Sequence, residues 1–110
     1  MEKKEFNKGE VSRLDASIEY NEGAVVSRTV LNKETGTVSL FAFDKGQSLS
    51  EHTAPFDALV QVLDGTAVIV LDKKPFEVKQ NEMIIMPADI PHAVEARERF
   101  KMLLTMIKSK

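Results

Sequence analysis

With 110 residues, the chain is long enough for one domain around a single hydrophobic core. Its composition, with 43% hydrophobic and 29% charged residues, is that of an ordinary globular protein and argues against a disordered chain or a membrane protein. The formal net charge is -2 and the Lys and Arg residues are scattered, so the sequence shows no basic face and nucleic-acid binding is disfavoured.

The first 23 residues are mostly polar and are predicted to form an N-terminal arm ahead of the main domain, residues 24–110. Val11, Leu14 and Ile18 are spaced three and four residues apart, which predicts either a short amphipathic helical turn packed on the domain or a loosely ordered arm. The arm starts with charged residues rather than the apolar core of a signal peptide, and the chain has no cysteine. We therefore expect a cytoplasmic location.

From residue 24 onward the sequence predicts β-structure almost throughout, because short runs of β-branched and apolar residues alternate with turn signals. The predicted strands are 24–31, 37–43, 59–63, 66–71, 76–79, 83–86, 93–96 and 100–107. Asp64-Gly65 predicts a two-residue hairpin turn, because glycine accepts the positive φ that such a turn requires. Short strands at close spacing indicate an all-β sandwich or barrel.

The only two histidines lie in separate segments that are punctuated by glycine and proline. His52 lies six residues after Gly46 and thirteen before Gly65, and His92 lies five residues after Pro87. These positions match parts of two motifs, G-x5-H-x-H-x3-4-E-x6-G and G-x5-P-x-G-x2-H-x3-N, so the chain resembles the small single-domain members of the cupin family. The resemblance implies a double-stranded β-helix, or jelly-roll barrel, with both histidines in its mouth.

The chain departs from the cupin pattern at five positions. In cupins the first motif supplies two His and one Glu to a divalent metal ion, but here Ala54 and Ala58 stand at the second His and the Glu positions. Asn81 and Asp89 stand at two Gly positions of the second motif, and Ala96 stands at its Asn position. Asn and Asp tolerate positive φ better than other non-glycine residues, so we expect these two turns to be preserved.

The two histidines and the two alanines are predicted to border one cavity in the barrel. Alternation along the strand that follows adds two valines to the inward face. The predicted ligand pocket therefore consists of His52, His92, Ala54, Ala58, Val60 and Val62. Further candidates for its lining are Phe41 or Phe43, Met83, Met86, Met102 and Met106. Alanines in place of a His and a Glu favour a larger, more apolar pocket that suits a small, partly hydrophobic molecule.

Three functions are compatible with this pattern. The leading hypothesis is a small-molecule-binding cupin whose two-His pocket is metal-free or binds a metal weakly. The second is a metal-dependent enzyme of the dioxygenase, isomerase or lyase type, in which His52, His92 and a nearby carboxylate hold Fe, Mn, Ni or Zn. Asp57 is the preferred carboxylate, because Pro55 interrupts the strand and could turn it inward. The third is a metal-free acid/base enzyme in which one histidine moves a proton.

A homodimer is also expected, because small cupins of this kind are usually homodimers. The predicted strand at 24–31 carries only one charged residue, Arg28, and so resembles an unprotected sheet edge. The apolar positions of the arm could be covered by the same two-fold contact.

Overall fold

The computed structural model describes residues 6–108, which form eight β-strands and no α-helix. The strands are β1 Val25–Lys33, β2 Gly36–Phe43, β3 Ser48–His52, β4 Ala58–Leu71, β5 Lys74–Lys79, β6 Met83–Met86, β7 His92–Glu95 and β8 Phe100–Ile107. The predicted all-β fold is confirmed. Within this range no helix is long and apolar enough to cross a membrane.

The eight strands form two antiparallel sheets that share β4. In the first sheet the order is β1-β2-β8-β4-β6, and in the second it is β3-β7-β4-β5. One core cluster contains residues of both sheets, such as Val62 from the first and Val94 from the second, so the sheets pack face to face around it. This arrangement of curled antiparallel sheets is the jelly-roll barrel that the sequence predicts.

The strand β4 is continuous, and the predicted hairpin at Asp64-Gly65 is wrong. β4 runs for 14 residues, pairing with β8 and β6 in its first half and with β5 and β7 in its second half. Gly65 does adopt a positive φ of 74°, and the register against β8 shifts between Val62 and Asp64. Gly65 therefore forms part of a β-bulge, which bends β4 from one sheet into the other and does not reverse its direction.

The centre of the core is aromatic and aliphatic. The rings of Phe43 and Phe100 stack with centroids 4.6 Å apart and an interplanar angle of 11°, and neither side chain is exposed. Val60 and Val62 are buried beside them, with relative exposures of 0% and 1%. Burying each such side chain stabilises the fold by about 1.5–3 kcal/mol relative to an exposed position, so this layer holds the strands of the two sheets together.

The described part of the N-terminal arm is ordered without forming a helix. Residues 6–24 contain only turns and bends, so the alternative of a helical turn is wrong for this segment. Ile18 is 2% exposed and packs with Leu40 and Ala42 on the outside of the first sheet. Leu14 packs against the same cluster, whereas Val11 is fully exposed and contributes nothing to it.

A tyrosine anchors the arm to the barrel. The hydroxyl of Tyr20 donates a hydrogen bond to Oδ2 of Asp64 at 2.6 Å, and the guanidinium of Arg99 lies 4.3 Å from the centroid of its ring. Burial and the Asp64 carboxylate together raise the pKa of Tyr20 well above its ordinary value. The phenol therefore stays protonated, and the hydrogen bond joins the arm to the bulge of β4.

Candidate functional site

The two histidines meet because they are cross-strand partners. His52 at the end of β3 pairs with His92 at the start of β7, and directly opposite residues of an antiparallel pair place their side chains on the same face. Their Nε2 atoms are 3.0 Å apart, and the rings meet edge to face with centroids 4.2 Å apart and an interplanar angle of 68°. The convergence that the motif positions predict is therefore present, although 40 residues separate the two histidines.

A small cavity opens beside this histidine pair. Its volume is about 120 Å³. The residues that line it are Leu49, His52, Ala54, Ala58, Met86, His92, Val94, Met102, Leu104 and Met106. An engineered cavity of about 150 Å³ in another protein holds benzene, so this somewhat smaller cavity suits a molecule of at most about one ring. Apart from the two imidazoles, every lining side chain is apolar.

Four of the six predicted pocket residues line this cavity, and two do not. His52, His92, Ala54 and Ala58 are brought together as expected, with the two alanines leaving space beside the rings. Val60 and Val62 face inward, as alternation predicts, but they lie in the close-packed core and do not reach the cavity. The cavity ends above them because their side chains pack against the buried aromatic layer.

Among the methionines, three line the cavity and one does not. Met86, Met102 and Met106 contribute their flexible side chains to the lining. Met83 is 55% exposed and lies away from the cavity. Neither Phe41 nor Phe43 reaches the lining, since both belong to the core or pack directly against it.

Sequence reasoning missed three lining residues, and two of them could have been found. Val94 lies two residues after His92, and Leu104 lies between Met102 and Met106, so strand alternation places them on the same face as known lining residues. Leu49 lies three residues before His52, out of phase with simple alternation. The register shift between Leu49 and His52 brings both to the cavity, and no local sequence pattern signals that irregularity.

Asp57 does not join the histidines. Its Oδ1 atom accepts a hydrogen bond from the backbone N–H of Ala88 at 2.8 Å. It borders a shallow groove shared with Leu59 and Ile85, not the histidine cavity. The carboxylate therefore fixes the loop between β6 and β7, a structural role in place of the predicted third ligand.

Two non-glycine residues form turns on either side of β6: Asn81 lies between β5 and β6, and Asp89 lies in the loop that leads to His92. Asn81 and Asp89 have φ values of 71° and 65°, so both adopt the left-handed conformation that we expected them to tolerate. The N–H of Asp89 also donates to the carbonyl oxygen of Ala54 at 2.8 Å. This bond ties the loop before β7 to the segment after β3, and it holds the two sides of the cavity mouth together.

The two histidines differ in their surroundings. His92 is 6% exposed, whereas His52 is exposed at the cavity mouth. Burial lowers the pKa of His92 below its ordinary value, His52 lowers it further, and the contact with the Ile90 carbonyl partly opposes this. No other lining residue is titratable, so the neutral imidazole is the favoured form of His92 near neutral pH.

The donor set of this site is too small for the metal ion that the cupin resemblance implies. Two Nε2 atoms converge, but across residues 6–108 no group of three or more His, Cys, Asp or Glu side chains is placed to hold a metal ion. A catalytic metal site normally has three protein ligands and one open position. Ala54 and Ala58 offer only methyl groups where further ligands would stand, so the residues present do not fit a resident catalytic metal.

Comparison with known proteins gives a family match but no function. The cupin domain family matches residues 39–108, a stretch that contains both histidines and seven of the eight strands in whole or in part. No protein of curated function matches the chain.

Solved structures resemble the chain over most of its length. A conserved protein of unknown function from Streptococcus pyogenes is 34% identical, with a TM-score of 0.91 over 97% of this chain and 94% of that one. A cupin superfamily protein from Desulfitobacterium hafniense is 30% identical, with a TM-score of 0.89 over 96% and 97% of the two chains. A cupin 2 conserved barrel domain protein from Leptotrichia buccalis is 47% identical over 86% of this chain, with a TM-score of 0.83. This chain covers only 46% of that protein. The chain therefore belongs to the cupin family and contains one cupin domain.

Proposed function

We propose that this cupin binds a small organic molecule with a mainly apolar body in the cavity around His52 and His92. The observation that carries the proposal is the convergence of two imidazoles, with Nε2 atoms 3.0 Å apart, in a cavity whose other lining residues are all apolar. Binding sites for small molecules typically combine an apolar wall with a few convergent polar groups that fix orientation.

The cavity has an apolar side and a polar side, so the proposed ligand has two chemically different ends. Met102, Leu104 and Met106 from β8 form an apolar wall for the body of the molecule. Methionine side chains adapt to irregular shapes, which suits a site that surrounds a small ligand closely. The histidine pair stands at the other end, where it can orient one polar group of the ligand.

The metal-dependent alternative has less support. It needs a third protein ligand, and Asp57, the preferred candidate, is hydrogen-bonded to Ala88 outside the cavity. Two histidines alone could still bind a divalent metal ion weakly, so the experiment must measure metal content as well as ligand binding.

The proposal is tested with one-ring and short branched-chain organic compounds on metal-free protein labelled with ¹³C at the methionine methyl groups. Binding in the cavity is expected to shift the signals of Met86, Met102 and Met106 and to leave Met83, which lies outside it, unchanged. The variant Ala54→Leu narrows the cavity and is expected to abolish the shifts. Thr53→Ala alters an exposed neighbour outside the lining and serves as the matched control.

Two results would overturn the proposal. One is the absence of selective shifts with every compound of this size. The other is near-stoichiometric metal in protein purified without a His-tag, measured by elemental analysis and lost in His52→Ala, which would establish the metal-dependent alternative instead.

A further inference from the structure

The hydrogen bonds of the histidine pair restrict where its protons lie. Nδ1 of His52 is 2.8 Å from the carbonyl oxygen of Ser50, and Nδ1 of His92 is 3.2 Å from that of Ile90. A carbonyl oxygen only accepts hydrogen bonds, so these two contacts assign the proton of each ring to Nδ1. A neutral imidazole has one N–H, and both Nε2 atoms are therefore left as acceptors.

The two histidines therefore lack one hydrogen-bond donor between them. Its two Nε2 atoms are 3.0 Å apart, at hydrogen-bond distance, yet in two neutral rings neither has a proton to donate. A third proton on the pair would remove the conflict at the expense of a buried positive charge. The His92 side chain is buried, at 6% exposure, and the lining contains no carboxylate to stabilise that charge.

We infer that the bound molecule supplies the missing donor: the site selects a small, mainly apolar compound with an O–H or N–H group directed at the Nε2 atoms of His52 and His92. This inference rests on the proposed function and narrows its ligand class to uncharged donors, of which a one-ring phenol is the simplest example. A hydrocarbon leaves both acceptors unpaired, and a carboxylate brings only further acceptors to a site that already has two.

Three one-ring probes separate these cases: phenol, toluene and benzoate. They have similar bodies and differ in the group presented to the histidines: a neutral donor, a methyl group and an anion. Phenol is neutral at pH 7.5, because a phenolic hydroxyl has a pKa of about 10. Titrations of metal-free protein, followed at the methyl signals of Met102 and Met106 with Met83 as internal control, report binding in this cavity alone.

Phenol is expected to bind about fivefold more tightly than toluene, the usual net effect of one hydrogen bond, and benzoate is expected to bind least well. In the double variant His52→Ala/His92→Ala, which removes both acceptors, the advantage of phenol over toluene should disappear. Thr53→Ala should retain it. An unchanged Met83 signal in both variants shows that the fold is intact.

The outcomes distinguish this inference from the proposed function. Equal affinity for phenol and toluene overturns the requirement for a donor but leaves small-molecule binding in place. Preference for benzoate shows that the pair is cationic and overturns the inference in the same way. Failure of all three probes counts against both. Independently, side-chain ¹⁵N spectra should show Nδ1–H on both rings at pH 7.5, and a proton on either Nε2 would refute the argument.

Discussion

Gly65→Ala tests whether the bulge that carries β4 between the two sheets depends on the absence of a side chain. Gly65 has a φ of 74°, and a Cβ built there would collide with the carbonyl oxygen of Arg99 and lie 3.1 Å from Cα of Phe100. The first obstacle is backbone, which cannot rotate away as a flexible side chain can. The substitution therefore forces either a shift of β8 or a change in the path of β4.

The expected cost has two parts. A left-handed conformation costs a non-glycine residue about 1–2 kcal/mol, and forcing extra atoms into a packed site costs about 1–3 kcal/mol more. We expect Gly65→Ala to lower the free energy of unfolding by about 3 kcal/mol, a large share of the roughly 5–15 kcal/mol typical of a domain. With a slope of about 1.5 kcal/mol/M in urea, the midpoint should fall by about 2 M.

Urea unfolding followed by circular dichroism at one fixed protein concentration measures this cost, and Gly23→Ala is the matched control. Gly23 has a φ of 68°, but nothing lies within 4 Å of a Cβ built there, so only the conformational part of about 1–2 kcal/mol should appear. The difference between the two variants isolates the contact with β8. If they agree within about 0.5 kcal/mol, the close approach at Gly65 is unimportant and the reasoning is refuted.

Three further predictions concern the arm, the buried histidine and the oligomeric state. Tyr20→Phe removes the hydrogen bond to Asp64 and is expected to lower the free energy of unfolding by about 1–2 kcal/mol in urea titrations; an unchanged midpoint would contradict the anchoring role. The pKa of His92 is lower in the folded than in the unfolded chain, so the unfolded state binds more protons. The free energy of unfolding should therefore fall as the pH drops below about 6.5. Urea titrations at pH 7.5 and 5.5 measure this dependence, and His92→Gln should flatten it. The homodimer stays a prediction, and the exposed side chains of Ile85 (53%) and Ile107 (56%) are candidates for its interface. Light scattering should report a particle of twice the 12.3 kDa of one chain, and Ile85→Lys should favour the monomer. A wild-type particle of 12.3 kDa would exclude the dimer.

Much of the site could be predicted from the sequence, because its signals are local. The spacing of His52 from Gly46 and of His92 from Pro87 identified both histidines, and strand alternation identified the inward face of β4. Asn81 and Asp89 were recognised as acceptable substitutes for glycine, since their tolerance of positive φ is a property of the residue type.

Other features depend on which strands pair and could not be predicted in this way. Alternation shows which face of a strand Val60 and Val62 occupy, but not how far the cavity extends above them. The irregular pairing of β3 with β7 brings Leu49 to the cavity, and the hydrogen bond from Ala88 draws Asp57 away from it.

The sequence by itself determined the all-β class, the family and the identity of the two histidines, because β-propensity, turn chemistry and motif spacing are properties of short segments. It did not predict β3, the strand that ends at His52. Only the tertiary structure decided that β4 continues through Asp64-Gly65, since the same positive φ at glycine serves a hairpin or a bulge depending on what lies beside it. It also decided the hydrogen-bond partners of the histidine pair. That arrangement depends on two carbonyl oxygens and one contact between residues 40 positions apart, which meet only when β3 and β7 pair.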